Sequence, residues 1–291
     1  MRIGLSGWSY DGWEGSFYPV GLPDRRRLAY ASRRFNTLEV NGSFYGLLTP
    51  ETYRRWYDDT PRGFRFAVKG SRFITHNKKL KNVETPLANY FASGLLLLRE
   101  KLGPIVWQLG ANLHFEPDRL ERFLGLLPRD TDAAARLARR HDRRLDGRSW
   151  MRADRRRPLR YAIETRDDSY RVPELARIAR RHGVALVVSD SGDWSRIEEV
   201  SADFVYVRLH GRPRTYASRY GPVALDQWAS RIRLWHAGRE PADARRIINQ
   251  PARSRRRRDV YVYFDNDRFA HAPRDARALA ERLKSSNGSR R

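Results

Sequence analysis

DFVYVR, residues 203–208, runs on through Leu209, His210 and Gly211 with apolar and polar side chains in alternation. Successive side chains of an extended strand leave on opposite faces. Val205, Val207 and Leu209 therefore share one face, and Tyr206, Arg208 and His210 share the other. A strand that buries three aliphatic groups on one side and sends a tyrosine, an arginine and a histidine to the other suits a closed parallel barrel. There one face lies under helices and the other lines a lumen whose C-terminal mouth carries the polar groups.

Seven further runs read as strands: 2–6 (RIGLS), 37–41 (TLEVN), 64–69 (FRFAVK), 105–109 (IVWQL), 159–164 (LRYAIE), 184–188 (VALVV) and 259–264 (DVYVYF). Segments of helical periodicity separate them. Pro50-Glu51 opens one helix, Pro173-Glu174 opens another that stops at His182-Gly183, and Pro273 opens the last. Leu225, Trp228, Ile232 and Trp235 stripe a further helix over 225–237 that ends at Gly238. Eight such units predict an α/β fold, a (β/α)8 TIM barrel, which commonly takes about 250 residues. An open doubly wound sheet is the alternative architecture, but Gly4, Gly7, Gly12 and Gly15 do not form the Gly-rich phosphate loop that usually follows its first strand. Two stretches look like Arg-rich insertions, 129–158 and 239–258, the second ending in RSRRRR at 253–258. Neither has the apolar content of a separate domain, so 1–291 is expected to be one domain.

Composition bounds the function. With 40% hydrophobic and 12% aromatic residues the chain can bury a core, and with no cysteine it has no disulfide, thiolate nucleophile or thiolate metal site. No run approaches the roughly 18 apolar residues of a membrane span, and no apolar leader opens the chain, so no membrane partner and a cytoplasmic location are expected. The formal net charge is +24, and Lys supplies only six of the 58 basic residues. Such a field attracts polyanions. A compositional bias towards arginine on solvated faces would produce the same count.

Alternation in the other strands selects more lumen groups. Leu38 and Val40 leave Thr37, Glu39 and Asn41 on the opposite face; Lys69 follows Ala67, Gln108 follows Val106, Glu164 and Arg166 follow Ala162, and Asp190 follows Val188. All come late in their strands. Unpaired ions in a lumen are costly, so Glu39, Lys69, Glu164, Arg166, Asp190, Arg208 and His210 on one rim predict a ligand or catalytic site. The loop holding Trp8 and Tyr10, and the pair Phe44-Tyr45, bring rings to the same mouth, where they would stack on a sugar or base or simply pack the loops. His76 lies in a rim loop near Lys69.

Taken together, GWSYDGW at 7–13, FYP at 17–19, FNTLEVNGSFYG at 35–46, FRFAVKG at 64–70, ITH at 74–76, WQL at 107–109, YVRLHG at 206–211 and VYVYFDN at 260–266 resemble the YecE-like family, domain of unknown function 72. That resemblance implies a TIM barrel and brings no settled activity. Carried over position by position, it points to Glu39, Asn41, Phe44, Tyr45, Lys69, His76, Gln108, Glu164, Arg166, Arg208, His210 and Asn266. Gly110-Ala111 departs from the family's frequent Pro-Pro, Asp167 stands where the family has His, and Asp265 stands where Asn is common.

The first function these residues suggest is a hydrolase-like enzyme on an anionic phosphate-containing or nucleic-acid ligand. Lys69, Arg166 and Arg208 would hold the anion. Glu39, Glu164 or Asp190 would act as base and His210 or His76 as acid. Trp8, Tyr10, Asn41, Phe44, Tyr45, Gln108 and Asn266 would complete the substrate pocket. No cofactor is expected. A metal-dependent barrel of the sugar isomerase or endonuclease type would instead use Glu39, Glu164, Asp190, His76 and His210 as ligands for a divalent ion, a set that three neighbouring cations disfavour. A third reading is a non-catalytic nucleic-acid-binding protein. The arginine runs before the fifth and eighth strands fall at strand N-terminal ends, opposite the pocket, where they would bind DNA or RNA without sequence preference.

Overall fold

All eight runs join one parallel sheet in the computed structural model, which describes residues 1–253 and 255–285. Ser254, inside the second expected insertion, and residues 286–291 lie outside the described residues. The chain order is β1 (Arg2–Ser6), α1 (Asp24–Ser32), β2 (Thr37–Val40), α2 (Gly42–Tyr45), α3 (Pro50–Asp59), β3 (Arg65–Lys69), α4 (Glu84–Ala92), β4 (Leu102–Gln108), α5 (Pro117–Leu126), α6 (Thr131–Ala138), β5 (Tyr161–Glu164), α7 (Pro173–His182), β6 (Ala185–Leu186), β7 (Val188–Ser191), β8 (Phe204–Gly211), α8 (Pro222–His236), β9 (Asp259–Phe264) and α9 (His271–Ser285).

Neighbours in the sheet run β6-β5-β4-β3-β2-β1-β9-β8-β7. The two ends, β6 and β7, are halves of one expected strand parted only by Val187, whose N–H still donates to Ile163 O at 2.9 Å. Chain continuity thus closes the ring at eight positions, a (β/α)8 barrel. Boundaries differ modestly from expectation: β8 extends to Gly211, α8 begins at Pro222, and α9 begins at His271 with Pro273 in its first turn, where a missing N–H breaks no bond.

The lumen is filled unevenly. Ala67, Val106, Ala162 and Ala185 on β3 to β6, with Val187 just after β6, face Phe204, Tyr206, Tyr261 and Tyr263 on β8 and β9, so small walls receive large rings. Tyr263 OH and Thr37 Oγ1 meet at 2.7 Å, and Tyr206 OH donates to Glu39 Oε2 at 2.6 Å, which satisfies both phenols in the dry interior. At the N-terminal mouth Arg160 bridges Asp259 (2.7 Å) and Asp203 (3.0 Å). Around the sheet a second core joins the strands' outer faces to the helices. Among the described residues no helix is long and apolar enough to cross a membrane.

The expected insertions are pinned by carboxylates. Asp130 caps α6 by accepting from Ala133 N (2.8 Å) and pairs with Arg156 (2.8 Å). Glu198 and Glu199, both buried, accept the backbone N–H groups of Arg245 (3.1 Å) and Ile247 (3.2 Å), and so fasten the 239–258 stretch to the barrel wall.

β1 and β2 approach so closely that a Cβ at Gly4 would lie 1.9 Å from Thr37 O, a backbone atom with no freedom to yield. Gly4→Ala is therefore expected to cost at least about 1–3 kcal/mol, the usual range for overpacking. Urea unfolding of the variant should show a lower midpoint, and an unchanged midpoint would contradict this account of the β1–β2 contact.

Candidate active site at the C-terminal mouth

Above the tyrosine layer stands Arg208, a guanidinium 1% exposed. Its Nε donates to Glu39 Oε2 (3.2 Å) and its Nη1 to Glu164 Oε2 (2.8 Å). Nη2 reaches Glu39 Oε1 (2.8 Å), Asp265 Oδ2 (2.8 Å) and Ser6 Oγ (3.1 Å). Strand pairing makes this possible: β8 lies beside β9, and β1 beside β2, so alternate residues of all four converge on one level. The acids are satisfied in turn. Ser6 Oγ donates to Glu39 Oε1 (2.5 Å), and Ser189 Oγ donates to Glu164 Oε1 (2.9 Å). Burial alone would push the Glu164 carboxyl up, but Arg208, then Arg166 and His210, outweigh it and hold the acid well below its ordinary range. Asp265 behaves likewise: burial is overcome by Arg208 and by the adjacent His210.

His210 lies between these acids, Nε2 at 2.8 Å from Glu164 Oε1 and Nδ1 at 2.9 Å from Asp265 Oδ2, although the second approach lacks hydrogen-bond direction. Trp194 and Tyr216 meet its ring edge-on at 5.0 and 5.5 Å. Tyr216 is held at φ 65°, a left-handed conformation unfavourable for a bulky residue, which keeps that ring over the site.

Lys69, Arg166 and His76 at this mouth keep polar atoms unspent among the described residues, as do the buried Oδ1 atoms of Asn41 and Asn266. Lys69, 8% exposed at the end of β3, places Nζ 4.3 Å from the centroid of the Phe44 ring, and among the described residues that ammonium makes no hydrogen bond or ion pair. Burial, then the charge of Arg208, lowers its pKa to about 8 despite the offsetting acids. Arg166 lies flat over Trp194 at 4.2 Å and gives one long bond to Glu164 (3.3 Å), while its Nε is buried without a partner. His76 pairs Nδ1 with Thr75 Oγ1 (2.8 Å), meets Phe44 edge-on at 5.2 Å and leaves Nε2 without a partner among the described residues. Burial lowers its pKa first, followed by Lys69, Arg166 and Arg72, so the ring is neutral at pH 7.

Beside this centre lies a cavity of about 610 Å³ lined by Trp8, Tyr10, Asn41, Tyr45, Arg55 and Trp56 among others. Phe44 and Tyr45 connect the two, the first ring under Lys69 and the second, 71% exposed, forming the cavity wall. Gln108 ends β4 with its side chain buried in the same phase as Val106 and Glu164. Asn266, in contrast, spends its amide on Ser218 O (3.0 Å) and Asp275 (2.8 Å), a loop-fastening role. Asp190 is not brought to the centre. Ser189 pairs with Arg208 in register and faces the lumen, so Asp190 faces outward and binds Tyr220 OH (3.0 Å) and Arg196 (3.3 Å).

Residue reading from sequence did not select Ser6, Ser189, Trp194, Asp265 or Asp267 for the site. Asp267 is half-buried near Asp265 and Tyr10; burial and then Asp265 raise its carboxyl to about 6. Alternation from Ala185 and Val187 would have found Ser189, and alternation from Tyr261 and Tyr263 would have found Asp265. Among the described residues no group of three or more His, Asp or Glu side chains is arranged to hold a metal ion.

A family model described as "Protein of unknown function DUF72" matches residues 2–290. The UPF0759 protein YecE of Escherichia coli K12 is 32% identical over 131 residues, 44% of this chain and 44% of that protein. UPF0759 protein YunF of Bacillus subtilis is 31% identical over 79 residues, 27% of each. The matched stretch thus spans less than half the length of these curated relatives. A DUF72 family protein from Thermotoga maritima superposes with a TM-score of 0.72 at 21% identity, covering 97% of this chain and 98% of that one. Another from Enterococcus faecalis gives 0.65 at 15% identity over 97% and 94%. At such identities the two structures speak for the fold alone.

The free ammonium at Lys69 generates a stability prediction. A folded-state pKa of about 8 against an ordinary 10.5 means that the folded chain binds fewer protons than the unfolded one between those values. Its contribution to stability therefore rises with pH from about 8 to 10.5, and below that window the buried charge is a net cost. Lys69→Met is expected to raise the melting temperature at pH 7, the gain being at most about 3 kcal/mol at 1.36 kcal/mol per pKa unit, and to abolish that rise. A lower melting temperature for the variant would mean that Lys69 has a stabilising partner.

Proposed function

Since the chain belongs to the DUF72 family, described as a protein family of unknown function, we propose from its own residues that it is an enzyme binding a small anionic substrate at the C-terminal mouth. The observation that carries this reading is the division of labour among the cations. Arg208 is spent on three carboxylates, whereas Lys69 and Arg166 keep donors free beside a neutral histidine. Lys69 and Arg166 would hold a phosphate or carboxylate group, the planar fork of Arg166 giving direction and the ammonium giving charge. The body of the substrate would lie along Phe44 and Tyr45 into the aromatic cavity.

His76 is the free base in this arrangement, because Glu39 and Glu164 already accept two or more bonds each. Its Nε2 would take a proton from water in hydrolysis of a phosphate-containing ligand, or from a nucleophile of the protein itself. Arg208, Glu39, Glu164 and His210 then serve as positioning residues. The same reading assigns no metal or organic cofactor, since the oxygens that would ligate an ion are turned towards Arg208.

Calorimetric titration with inorganic phosphate, pyrophosphate and acetate tests this. Arg166→Met is expected to weaken anion binding at least about tenfold, as the loss of a charge-assisted bond worth about 1.5–3 kcal/mol requires, while Asp190→Asn leaves it unchanged. No binding by the unmodified protein, or equal binding by both variants, would refute the proposal.

A second reading has its own observation at the opposite mouth. Arg156 and Arg157 pair with Asp130 and Asp154, and Arg258 is buried on Gly238 O and Arg253 O, but Arg152, Arg155, Arg253, Arg255, Arg256 and Arg257 are exposed. These six would hold a nucleic-acid backbone non-specifically. Replacing Arg255, Arg256 and Arg257 with Ser should flatten the dependence of log affinity on log salt by about 2–3 for duplex DNA, at about 0.9 per phosphate contact, and leave phosphate binding at the rim intact. An unaltered slope would remove this reading.

A further inference from the structure

The chain contains its own standard for a structural lysine. Lys101, 5% exposed, donates to Tyr57 O (2.5 Å), Thr60 O (2.7 Å) and Thr60 Oγ1 (3.1 Å), so its three protons are all placed. Lys69 is the reverse case. It is buried to a similar degree and feels the charges of Glu39, Asp265 and Glu164, yet those acids are turned to Arg208, and among the described residues its nitrogen has the Phe44 ring at 4.3 Å and no hydrogen-bond partner. Keeping an ammonium unpartnered there costs stability, and a role as mere filler would be better met by methionine.

We propose that Lys69 is a nucleophile whose side-chain nitrogen condenses with the carbonyl carbon of a small anionic aldehyde or ketone held at the mouth. This rests on the reading above that the mouth takes an anion, and narrows it: the substrate carries a carbonyl near its charged group, and the attacking atom is nitrogen rather than water. Two features activate the amine, the desolvated site and the neighbouring Arg208 cation, both of which disfavour protonation. With a pKa of about 8, roughly a tenth of Lys69 is neutral at pH 7, against fewer than about one in a thousand for an ordinary lysine.

The step balances without a further reagent. The nitrogen lone pair forms a C–N bond as the carbonyl π pair moves to oxygen. The proton shed by nitrogen passes through His76, whose ring flanks the same Phe44, to that oxygen. A second proton from solvent lets the oxygen leave as water while the nitrogen lone pair closes a C=N bond, leaving one positive charge on nitrogen. Arg166 holds the substrate's anionic group throughout. The cationic imine then draws electrons from the adjacent carbon, the chemistry needed for cleavage or proton transfer there.

Borohydride trapping tests the assignment on the intact chain. The protein is incubated at neutral pH with pyruvate or with dihydroxyacetone phosphate, reduced, digested and mapped by mass spectrometry; the two compounds distinguish a carboxylate from a phosphate as the anionic group. The six lysines, at 69, 78, 79, 81, 101 and 284, make the map unambiguous. The expected result is a reduced adduct at Lys69 formed at least about tenfold faster than at exposed Lys78, as its larger neutral fraction requires. Lys69→Arg should abolish that adduct. In parallel, lactate and glycerol phosphate, which lack the carbonyl, are titrated by calorimetry. Binding of these with no preferential adduct at Lys69 overturns the nucleophile and leaves the anion site standing. An adduct at Lys69 without binding of either keeps the nucleophile and removes the anion site. Equal labelling of Lys69 and Lys78 overturns the proposal outright.

Discussion

One guanidinium organises the mouth of this barrel. Arg208 sits where three carboxylates from three different strands or strand ends converge, and without it Glu39, Glu164 and Asp265 would repel one another in a site nearly closed to water. A buried ion repays its desolvation only when geometry is good and the remaining donors and acceptors are filled. Here the geometry is good and Glu39 and Glu164 are filled: Arg208 donates to both, and Ser6 and Tyr206 supply further donors to Glu39 and Ser189 and His210 to Glu164. The network fixes the upper ends of β1, β2, β5, β8 and β9 relative to one another, so the fold and the electrostatics of the site have one cause.

This constraint also explains which groups stay unpaired. The acids drawn to Arg208 are lost as partners for Lys69, and the positive charge of Arg208 further discourages a proton on that amine. Neutral His76 follows from the same crowding of cations. Each of these is a local departure from the rule that buried polar groups are satisfied; Asn41 Oδ1 and His210 Nδ1 near them are also buried without hydrogen-bond partners, and so are Tyr53 OH, Trp107 Nε1 and Trp235 Nε1 outside the lumen. Strained Tyr216 lies against His210 at the same mouth.

Most of the barrel was legible because its strands alternate. β2 and β8 mix one polar and one apolar face, so Glu39, Tyr206, Arg208 and His210 could be aimed from sequence alone. The sixth strand could not be phased in that way: Val184-Ala185-Leu186-Val187-Val188 is apolar on both faces, as parallel barrel strands covered on both sides usually are. Taking Val188 as a lumen residue sends Asp190 inward, whereas the register Ser189 opposite Arg208 sends it outward to Tyr220. Side-chain saturation was also invisible. Sequence placed Arg208 on the rim with Lys69 and Arg166, but whether its donors face a ligand or three carboxylates depends on distances between strands remote in the chain. For Asn266 too, the sequence could not show that its Nδ2 donates to Ser218 and Asp275 while its Oδ1 stays buried without a hydrogen-bond partner.

Arginine content illustrates the limit of composition as a guide. The same residue type serves here as a buried hub at 208, as a bridge across the N-terminal mouth at 160, as a fastener for an insertion at 180 and 231, and as exposed charge at 255 to 257. Only the last class contributes to a field that a polyanion could feel, because a guanidinium paired with a carboxylate has no net charge to offer at a distance. The formal +24 is therefore not spread evenly over the surface. Its effective part concentrates where arginines outnumber acids, and the C-terminal mouth, with Glu39, Glu164 and Asp265 set against Arg208, Arg166 and Lys69, is locally balanced. On the proposed reading, recognition at that mouth would come from the direction of individual donors rather than from bulk attraction, which favours a small ligand between Lys69 and Arg166 over a polymer drawn in by charge.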